Sequence, residues 1–236
     1  MNDIDSFLHT QSPTAMRPLL GMTVLLVEDS LTACEAIRLM CLRSGARIRR
    51  ADCLESAQRH LRVYRPSVVI IDMGLPDGDG ADLIAELHQT SPRTEVILGM
   101  SADPDRSEIA IDAGANGFIE KPLDSIAEFQ AAVLKHLPEN KRPVGPRKVC
   151  DTPIPADQLA LQEDLAHALN LLEDGEKTPA THAYLATFLA GVARTASDNE
   201  LETVAATFAR ARAMAGPEQA GLSAVLIDRL ARKVAI

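Results

Sequence analysis

Short apolar runs alternate with amphipathic segments along the first part of the chain. Runs of strand length lie at 22–27, 46–50, 67–72, 94–101 and 117–120, and segments with helical periodicity lie at 31–45, 54–64, 80–89, 105–115 and 123–137. Ser30 is the predicted N-cap of the first helix, and Gly45 is its predicted C-terminal stop. Strands that alternate with helices are typical of a parallel sheet covered on both faces. We therefore predict an α/β fold, a doubly wound five-stranded parallel sheet.

The composition changes after this region. Residues 138–150, PENKRPVGPRKVC, contain three prolines and four Lys or Arg without apolar periodicity, which predicts a linker. Beyond it, apolar residues at helical spacing predict a small all-α domain of four helices, with Thr178-Pro179, Gly216-Pro217 and a Ser197/Glu200 capping box as helix starts. The predicted organisation is an N-terminal tail at 1–20, an α/β domain at 21–137, the linker at 138–150 and an all-helical output or interaction domain at 151–236.

Polar residues follow the predicted parallel strands. They are Glu28 and Asp29 after the first strand, Asp72 at the end of the third, Ser101 at the end of the fourth and Lys121 just past the fifth. The carboxyl ends of parallel strands lie at one edge of the sheet, where α/β proteins bind ligands. Three carboxylates at that edge would repel one another unless a cation offset them, and oxygen ligands of this kind suit Mg²⁺. A lysine and a hydroxyl beside the metal suit the oxygens of a phosphoryl group. We therefore predict phosphoryl transfer to Asp72 with formation of an acyl phosphate.

These motifs resemble those of the receiver domains of two-component response regulators. The resemblance rests on VLLVEDS, IIDMGLPDGDG, ILGMSA and GANGFIEKPL, which occur in the family's order over about residues 22–137. It implies a flavodoxin-like sheet with strand order 2-1-3-4-5. It also implies a signalling role in which the chain is a phosphoacceptor switch and not an enzyme.

The resemblance assigns roles to individual residues. Asp72 would accept the phosphoryl group from a sensor histidine kinase or a histidine phosphotransferase, with Ser101 and Lys121 binding phosphoryl oxygens. Phe118 would be the aromatic switch residue, and the Lys121-Pro122 bond would be cis. The Mg²⁺ cofactor would be bound by four groups: the side chains of Glu28, Asp29 and Asp72 and the backbone carbonyl of Gly74.

Two positions depart from the family pattern. Gly74 lacks the larger polar side chain that is common two residues after the acceptor, and Asp103 is acidic. Both positions influence the access of water to the acyl phosphate, so the departures put the lifetime of the phosphoryl group in question. A phosphatase that forms an aspartyl phosphate is a weaker alternative, because such enzymes need a second aspartate where this chain has Gly74.

The role of residues 151–236 is the harder question. They carry seven Lys or Arg against twelve Asp or Glu, which disfavours DNA binding. Residues 188–212 resemble the helices of histidine phosphotransfer domains, but the phosphorylated histidine would fall at Thr187, and His182 lies on another helical face. A degenerate domain of that kind, used for docking to a protein partner or for homodimerisation, is our preferred interpretation. A DNA-binding transcriptional regulator is the alternative.

Composition limits the remaining classes. The net charge is −9, which disfavours non-specific binding to nucleic acid or anionic membranes. The four cysteines show no metal-ligand spacing, the acidic N-terminus does not resemble a signal peptide, and the apolar run at 19–27 is too short to span a bilayer. We expect a cytoplasmic protein without membrane contact.

Overall fold

The computed structural model describes residues 12–123, 125–145, 154–174, 178–211, 225–228 and 230–232. The strands are β1 Thr23–Val27, β2 Arg47–Ala51, β3 Val68–Asp72, β4 Gly74–Leu75, β5 Gly78–Asp79, β6 Val96–Ser101 and β7 Gly117–Glu120. The helices are α1 Leu31–Ser44, α2 Leu54–Val63, α3 Gly80–Gln89, α4 Arg106–Asp112, α5 Ile126–Leu134, α6 Gln158–Asp174, α7 Pro179–Thr195 and α8 Asn199–Ala211. Among these described residues, no helix is long and apolar enough to cross a membrane.

The main sheet has five parallel strands in the order β2-β1-β3-β6-β7. Strands β4 and β5 form a separate antiparallel hairpin directly after β3, so the order among the five parallel strands is 2-1-3-4-5. The predicted doubly wound sheet and its strand order are confirmed. In this order β1, β3 and β6 are neighbours, and their carboxyl ends therefore lie side by side.

The central strands bury both faces because their side chains alternate. In β3, Val68 and Ile70 pack into the cluster that contains α1 and α5, whereas Val69 and Ile71 pack into the cluster that contains α2, α3 and α4. This two-sided packing explains why β3 is a continuous apolar run. It holds the end of β3, and with it Asp72, in a fixed position between two layers of helices.

Helix α1 begins and ends at the predicted residues. The Ser30 hydroxyl accepts a hydrogen bond from Ala33 N, and Gly45 at φ 86° occupies the left-handed region after the last turn. Helix α5 is shorter than predicted, since it ends at Leu134. A 3-10 turn at Glu139–Lys141 and hydrogen bonds from Arg142 to the carbonyl oxygens of Leu137 and Lys135 follow it. The first part of the predicted linker is therefore bound to the α/β region.

Helices α6, α7 and α8 share an apolar cluster with Leu226 and Leu230. Thr178 caps α7, with Pro179 in its first turn, as predicted. The predicted Ser197/Glu200 capping box is wrong, because the Asp198 carboxylate accepts from Leu201 N and Ser197 has a left-handed φ of 54°. The predicted start at Gly216-Pro217 lies outside the described residues.

The helical region is packed against the α/β region and is not a separate body. Helices α6 and α7 both contact α1, and α7 also contacts β4. Ile154, beyond the predicted linker, is buried in the cluster on the α1 side of the sheet. Leu19, within the predicted N-terminal tail, is buried in the same cluster. The packing thus brings the second half of the chain to the sheet edge where the predicted site residues lie.

Candidate phosphoacceptor site

The carboxyl edge of the sheet holds a buried acidic cluster. Glu28 and Asp29 follow β1, and Asp72 ends β3, the strand that pairs with β1. One oxygen of each of these carboxylates lies within 4.8 Å of the others. The adjacency of β1 and β3 in the sheet brings together residues that are more than forty positions apart in the sequence.

The Lys121 ammonium lies between two of these carboxylates. Its Nζ is 2.8 Å from Asp72 Oδ1 and 2.6 Å from Glu28 Oε2. The side chains of Lys121, Asp72 and Glu28 are only 8%, 7% and 1% exposed, so water screens these charges weakly. Asp72 Oδ2 accepts a hydrogen bond of 3.1 Å from Gly74 N. Both oxygens of the predicted acceptor are therefore held in place.

The cluster holds more negative charge than Lys121 can balance. Burial raises the pKa of Glu28 well above its ordinary value; the Lys121 ammonium opposes this shift, and the carboxylates of Asp72 and Asp29 add to it. Burial also raises the pKa of Asp29, against the effect of a hydrogen bond from Tyr184. Burial would lower the pKa of Lys121, but Asp72 and Glu28 more than offset it and raise that pKa above its ordinary value.

The residues present fit a hard divalent cation. Three carboxylates face one ammonium, and the buried Glu28 Oε2 has only its ion pair with Lys121 among the described residues. A small cation with oxygen ligands would supply the missing positive charge, and Mg²⁺ prefers a few carboxylates together with waters. Glu28, Asp29 and Asp72 could therefore hold the predicted ion.

Ser101 lies at the same edge but is not in contact with Asp72. It is 1% exposed at the end of β6, and its hydroxyl accepts a hydrogen bond from Asp103 N at 3.1 Å. The Lys121 backbone N donates to the Ser101 carbonyl at 2.9 Å, which links the ends of β6 and β7. Because the Ser101 hydroxyl acts only as the acceptor in this bond, its hydrogen is available to donate to a phosphoryl group on Asp72.

The remaining predicted residues lie around this cluster. Phe118 is half-buried in β7 and packs beside Gly99, and with Pro122 it lines an open pocket on the far side of Lys121. The Lys121-Pro122 peptide bond is cis. Gly74 begins β4, and its N–H is the group that contacts Asp72, whereas the predicted metal ligand is its carbonyl oxygen.

Helix α7 covers the acidic cluster. The Tyr184 hydroxyl donates a hydrogen bond to Asp29 Oδ2, and Thr187, Phe188 and Gly191 line a closed cavity together with Asp72 and Lys121. This cavity has a volume of about 10 Å³, about the space of one water molecule. The sequence singled out Thr187 only as the position at which the phosphorylated histidine of a phosphotransfer domain would fall, and it did not predict Tyr184, Phe188 or Gly191 as site residues.

Asp164 in α6 makes a second connection between the two halves. Its carboxylate accepts hydrogen bonds from Leu31 N at 2.7 Å and Thr32 N at 2.9 Å, and from the hydroxyls of Ser30 and Thr32. A carboxylate at the N-terminus of a helix is favourable, because free N–H groups and the positive end of the helix dipole lie there. The sequence contains one signal for this contact: Asp164 interrupts the apolar stripe of α6 directly before Leu165.

Comparisons with known proteins find relatives for the α/β half of the chain. The family model for response regulator receiver domains matches residues 24–133. The KDP operon transcriptional regulatory protein KdpE of Escherichia coli is 33% identical over 108 residues, which are 46% of this chain and 48% of that protein. KdpE of Mycobacterium tuberculosis is 29% identical over 116 residues, 48% of this chain and 51% of that protein. The chain thus spans about half the length of the curated relatives that it matches.

Solved receiver structures also match this half of the chain. A response regulator from Chloroflexus aurantiacus is 28% identical with a TM-score of 0.46, covering 48% of this chain and 95% of that one. The receiver domain of the sensor histidine kinase PA1611 from Pseudomonas aeruginosa, solved with a coordinated magnesium ion, is 27% identical with a TM-score of 0.44, covering 49% and 96%. The family match and the observed strand order agree, and residues 24–133 form a response regulator receiver domain.

Proposed function

We propose that Asp72 accepts a phosphoryl group from a sensor histidine kinase or a histidine phosphotransferase. The observation that carries this proposal is the Asp72 carboxylate at the carboxyl edge of the sheet, 2.8 Å from Lys121 Nζ and within reach of Glu28 and Asp29. This arrangement supplies a nucleophilic oxygen, a fixed positive charge and a set of cation ligands.

In the proposed transfer, an Asp72 oxygen attacks the phosphorus of the donor phosphohistidine. A new P–O bond forms, the P–N bond breaks, and the imidazole leaves and takes a proton from solvent. Lys121 holds one phosphoryl oxygen, and the Ser101 hydroxyl donates to another. A Mg²⁺ ion bound by Glu28, Asp29, Asp72 and the Gly74 carbonyl would neutralise charge on the phosphoryl oxygens. The chain itself would act as a switch, without turnover of a substrate.

Labelling with a small donor tests this proposal. Acetyl phosphate with Mg²⁺ should add one phosphoryl group to the wild-type chain, as measured by intact mass, whereas Asp72→Asn should stay unlabelled. Asp82→Asn is the matched control, because Asp82 is an exposed aspartate in α3 outside the cluster. Excess chelator should abolish labelling of the wild type. Equal labelling of Asp72→Asn, or labelling that persists in chelator, would contradict the assignment.

The helical region is proposed to be a protein-interaction module. The names of the relatives describe transcriptional regulators, but the family match ends at residue 133, before α6. The twelve acidic against seven basic residues at 151–236 disfavour contact with phosphates of DNA. A gel-shift titration of the full chain with duplex DNA at physiological salt should show no specific complex. A salt-resistant, sequence-specific complex would favour the alternative of a DNA-binding regulator.

A further inference from the structure

One face of α7 lies over the acidic cluster. This covering face consists of Tyr184, Thr187, Phe188 and Gly191, which are spaced three or four positions apart and so lie on one side of the helix. Phe188 and Gly191 are buried and line the cavity beside Asp72, and Phe188 also belongs to the apolar cluster of the helical region. Tyr184 is partly buried, and Thr187 is exposed at the rim. The covering face therefore lies over Asp72, which is 5% exposed, and leaves the edge at Thr187 open to solvent.

The contact between α7 and the β4 segment is close. A Cβ atom placed on Gly74 would lie 3.1 Å from Thr187 Cγ2, tighter than ordinary van der Waals contact. The larger polar side chain that is common at this position would therefore push α7 away. A Cβ on Gly191 would lie 4.0 Å from Lys121 Nζ, which is an ordinary van der Waals distance. The missing side chain at Gly74 is therefore the feature that permits the close approach of α7 to the site.

Two polar contacts hold this arrangement. Tyr184 donates to Asp29, one of the candidate cation ligands. Asp164, only 2% exposed, accepts four hydrogen bonds from the first turn of α1 and its cap. Hydrogen bonds to an ionised, buried acceptor are stronger than neutral ones. The two contacts lie on different helices, and α6 and α7 pack together in one apolar cluster, so each contact helps to hold both helices on the receiver domain.

We propose that α6 and α7 close the phosphoacceptor site and compete with the phosphodonor for the surface around Asp72. This inference rests on the proposed function of Asp72. A cavity of about 10 Å³ has no space for a phosphoryl group, which is larger than the single water that such a cavity holds. Phosphorylation therefore requires release of the covering face, and a phosphoryl group on Asp72 opposes its return. Reciprocal coupling of this kind follows from linkage.

Release of the covering face would also make the helical region available to other proteins. In the closed form, the covering face and Asp164 are occupied by the receiver domain, and in the open form they are free for another protein. A tethered helix competes at a high effective concentration, so a donor must bind the receiver surface tightly or capture the open fraction. The same surface on this chain would then both limit phosphorylation and signal that it has occurred.

The first test opens the site by removing Asp164. The rate of labelling by acetyl phosphate with Mg²⁺ is compared among wild type, Asp164→Ala and Glu163→Ala. Glu163 is the matched control, because it is the exposed neighbour of Asp164 on the same helix. We expect Asp164→Ala to be labelled about tenfold faster, within the range typical of coupled sites, and Glu163→Ala to match wild type. Equal rates for wild type and Asp164→Ala would overturn the proposal.

The second test locks the site. Cysteines at positions 74 and 187 would have Cβ atoms about 3.8 Å apart, the usual spacing in a disulfide. Gly74→Cys/Thr187→Cys, with Cys53→Ser and Cys150→Ser to prevent other pairings, should form this cross-link on oxidation. We expect the oxidised protein to resist labelling and the same protein after reduction to accept label. Labelling of the oxidised form at the rate of the reduced form, or failure of the cross-link to form, would overturn the proposal.

Hydrogen exchange separates this inference from the proposed function, because it needs no phosphorylation. The amides of α7 should exchange faster in Asp164→Ala than in wild type, whereas those of β3 and β6 should not change. If α7 exchanges faster and no variant is labelled, the closed arrangement stands and the role of Asp72 is wrong. If labelling requires Asp72 and α7 exchanges equally in both proteins, the closing role of α6 and α7 is wrong.

Discussion

Lys121 lies between Asp72 and Glu28, with its Nζ 2.8 Å from one carboxylate and 2.6 Å from the other. The three side chains are almost fully buried, and the carboxylates come from two neighbouring strands. The ammonium therefore offsets the repulsion between the ends of β1 and β3 before any phosphoryl group arrives. This charge balance predicts that Lys121 stabilises the fold as well as the proposed phosphorylated state.

Replacement of Lys121 should leave the repulsion between the carboxylates of Asp72 and Glu28 without a compensating charge. We expect Lys121→Met to lower the free energy of unfolding by about 3 kcal/mol, because removal of one partner leaves buried carboxylates without a counter-charge. Adding Asp72→Asn to that variant should recover part of the loss, since one carboxylate is then neutral. Urea unfolding measures both values, with the exposed Lys135→Met as control. Equal stability of Lys121→Met and Lys135→Met would show that the ion pairs contribute nothing.

Tyr184 should weaken the binding of a divalent cation. Its hydroxyl donates to Asp29 Oδ2, and Asp29 is one of the candidate cation ligands. A hydrogen bond to a charged group contributes about 1.5–3 kcal/mol, and about 1.4 kcal/mol corresponds to a tenfold change in affinity. We therefore expect Tyr184→Phe to bind Mg²⁺ at least about tenfold more tightly. Calorimetric titration with Mg²⁺ is the measurement. Tyr64→Phe, which alters the other tyrosine of the chain, should bind as wild type does, and an unchanged affinity in Tyr184→Phe would contradict this role.

The receiver half could be predicted from sequence in detail because its signals are local. The apolar run that ends at Asp72 places this residue at the sheet edge, and Ser30 and Gly45 fix the ends of α1 through their own backbone and side-chain chemistry. The family's strand order then brings Glu28 and Lys121 to the same edge. The exact contacts, such as the pairing of Lys121 with both Glu28 and Asp72, depend on rotamers that no periodicity encodes.

The contact between the two halves could not be predicted in this way. Asp164 and Leu31 are far apart in sequence, and no local sequence pattern around either residue predicts the other as its hydrogen-bond partner. Phe188 was assigned to the apolar face of its helix and does belong to the apolar cluster of the helical region, but it also lines the cavity beside Asp72, which that pattern does not predict. The proline-containing linker predicted a second domain held close to the first, and it did not indicate that Ile154 and Arg142 would attach the chain to the receiver domain.

His136 predicts a pH dependence of stability. Burial lowers its pKa below the ordinary value, and the nearby charges of Lys135 and Arg142 act in the same direction. A histidine whose folded pKa is lowered stays neutral in the folded state at a pH where the unfolded chain binds a proton. The stabilisation is therefore complete above the unfolded pKa of about 6.5 and is lost as the pH falls through the lowered folded value.

The variant His136→Gln should remove this dependence. We expect the melting temperature of the wild type to fall more than that of His136→Gln when the pH is lowered from about 8 to about 5.5, on either side of the ordinary histidine pKa. Differential scanning calorimetry of both proteins in the same buffers is the measurement. Parallel melting curves over this range would show that His136 titrates alike in the folded and unfolded chain.

The size of the molecule should respond to an acyl-phosphate mimic at Asp72. With α6 and α7 closed on the receiver domain, the molecule has a smaller radius of gyration than when these helices are released. Beryllofluoride with Mg²⁺ occupies the position of a phosphoryl group on a carboxylate, and it cannot share the small cavity under Phe188 with the closed helix. We therefore expect small-angle scattering to show a larger radius of gyration when the mimic is bound.

The shift should be partial, because a ligand moves a conformational equilibrium only by its differential affinity for the two states. Asp72→Asn cannot bind the mimic in this way and should keep the smaller radius. Identical scattering of wild type with and without the mimic, over a range of protein concentrations, would mean that α6 and α7 stay in place and that the switch acts through a surface that they leave open, such as the pocket beside Phe118.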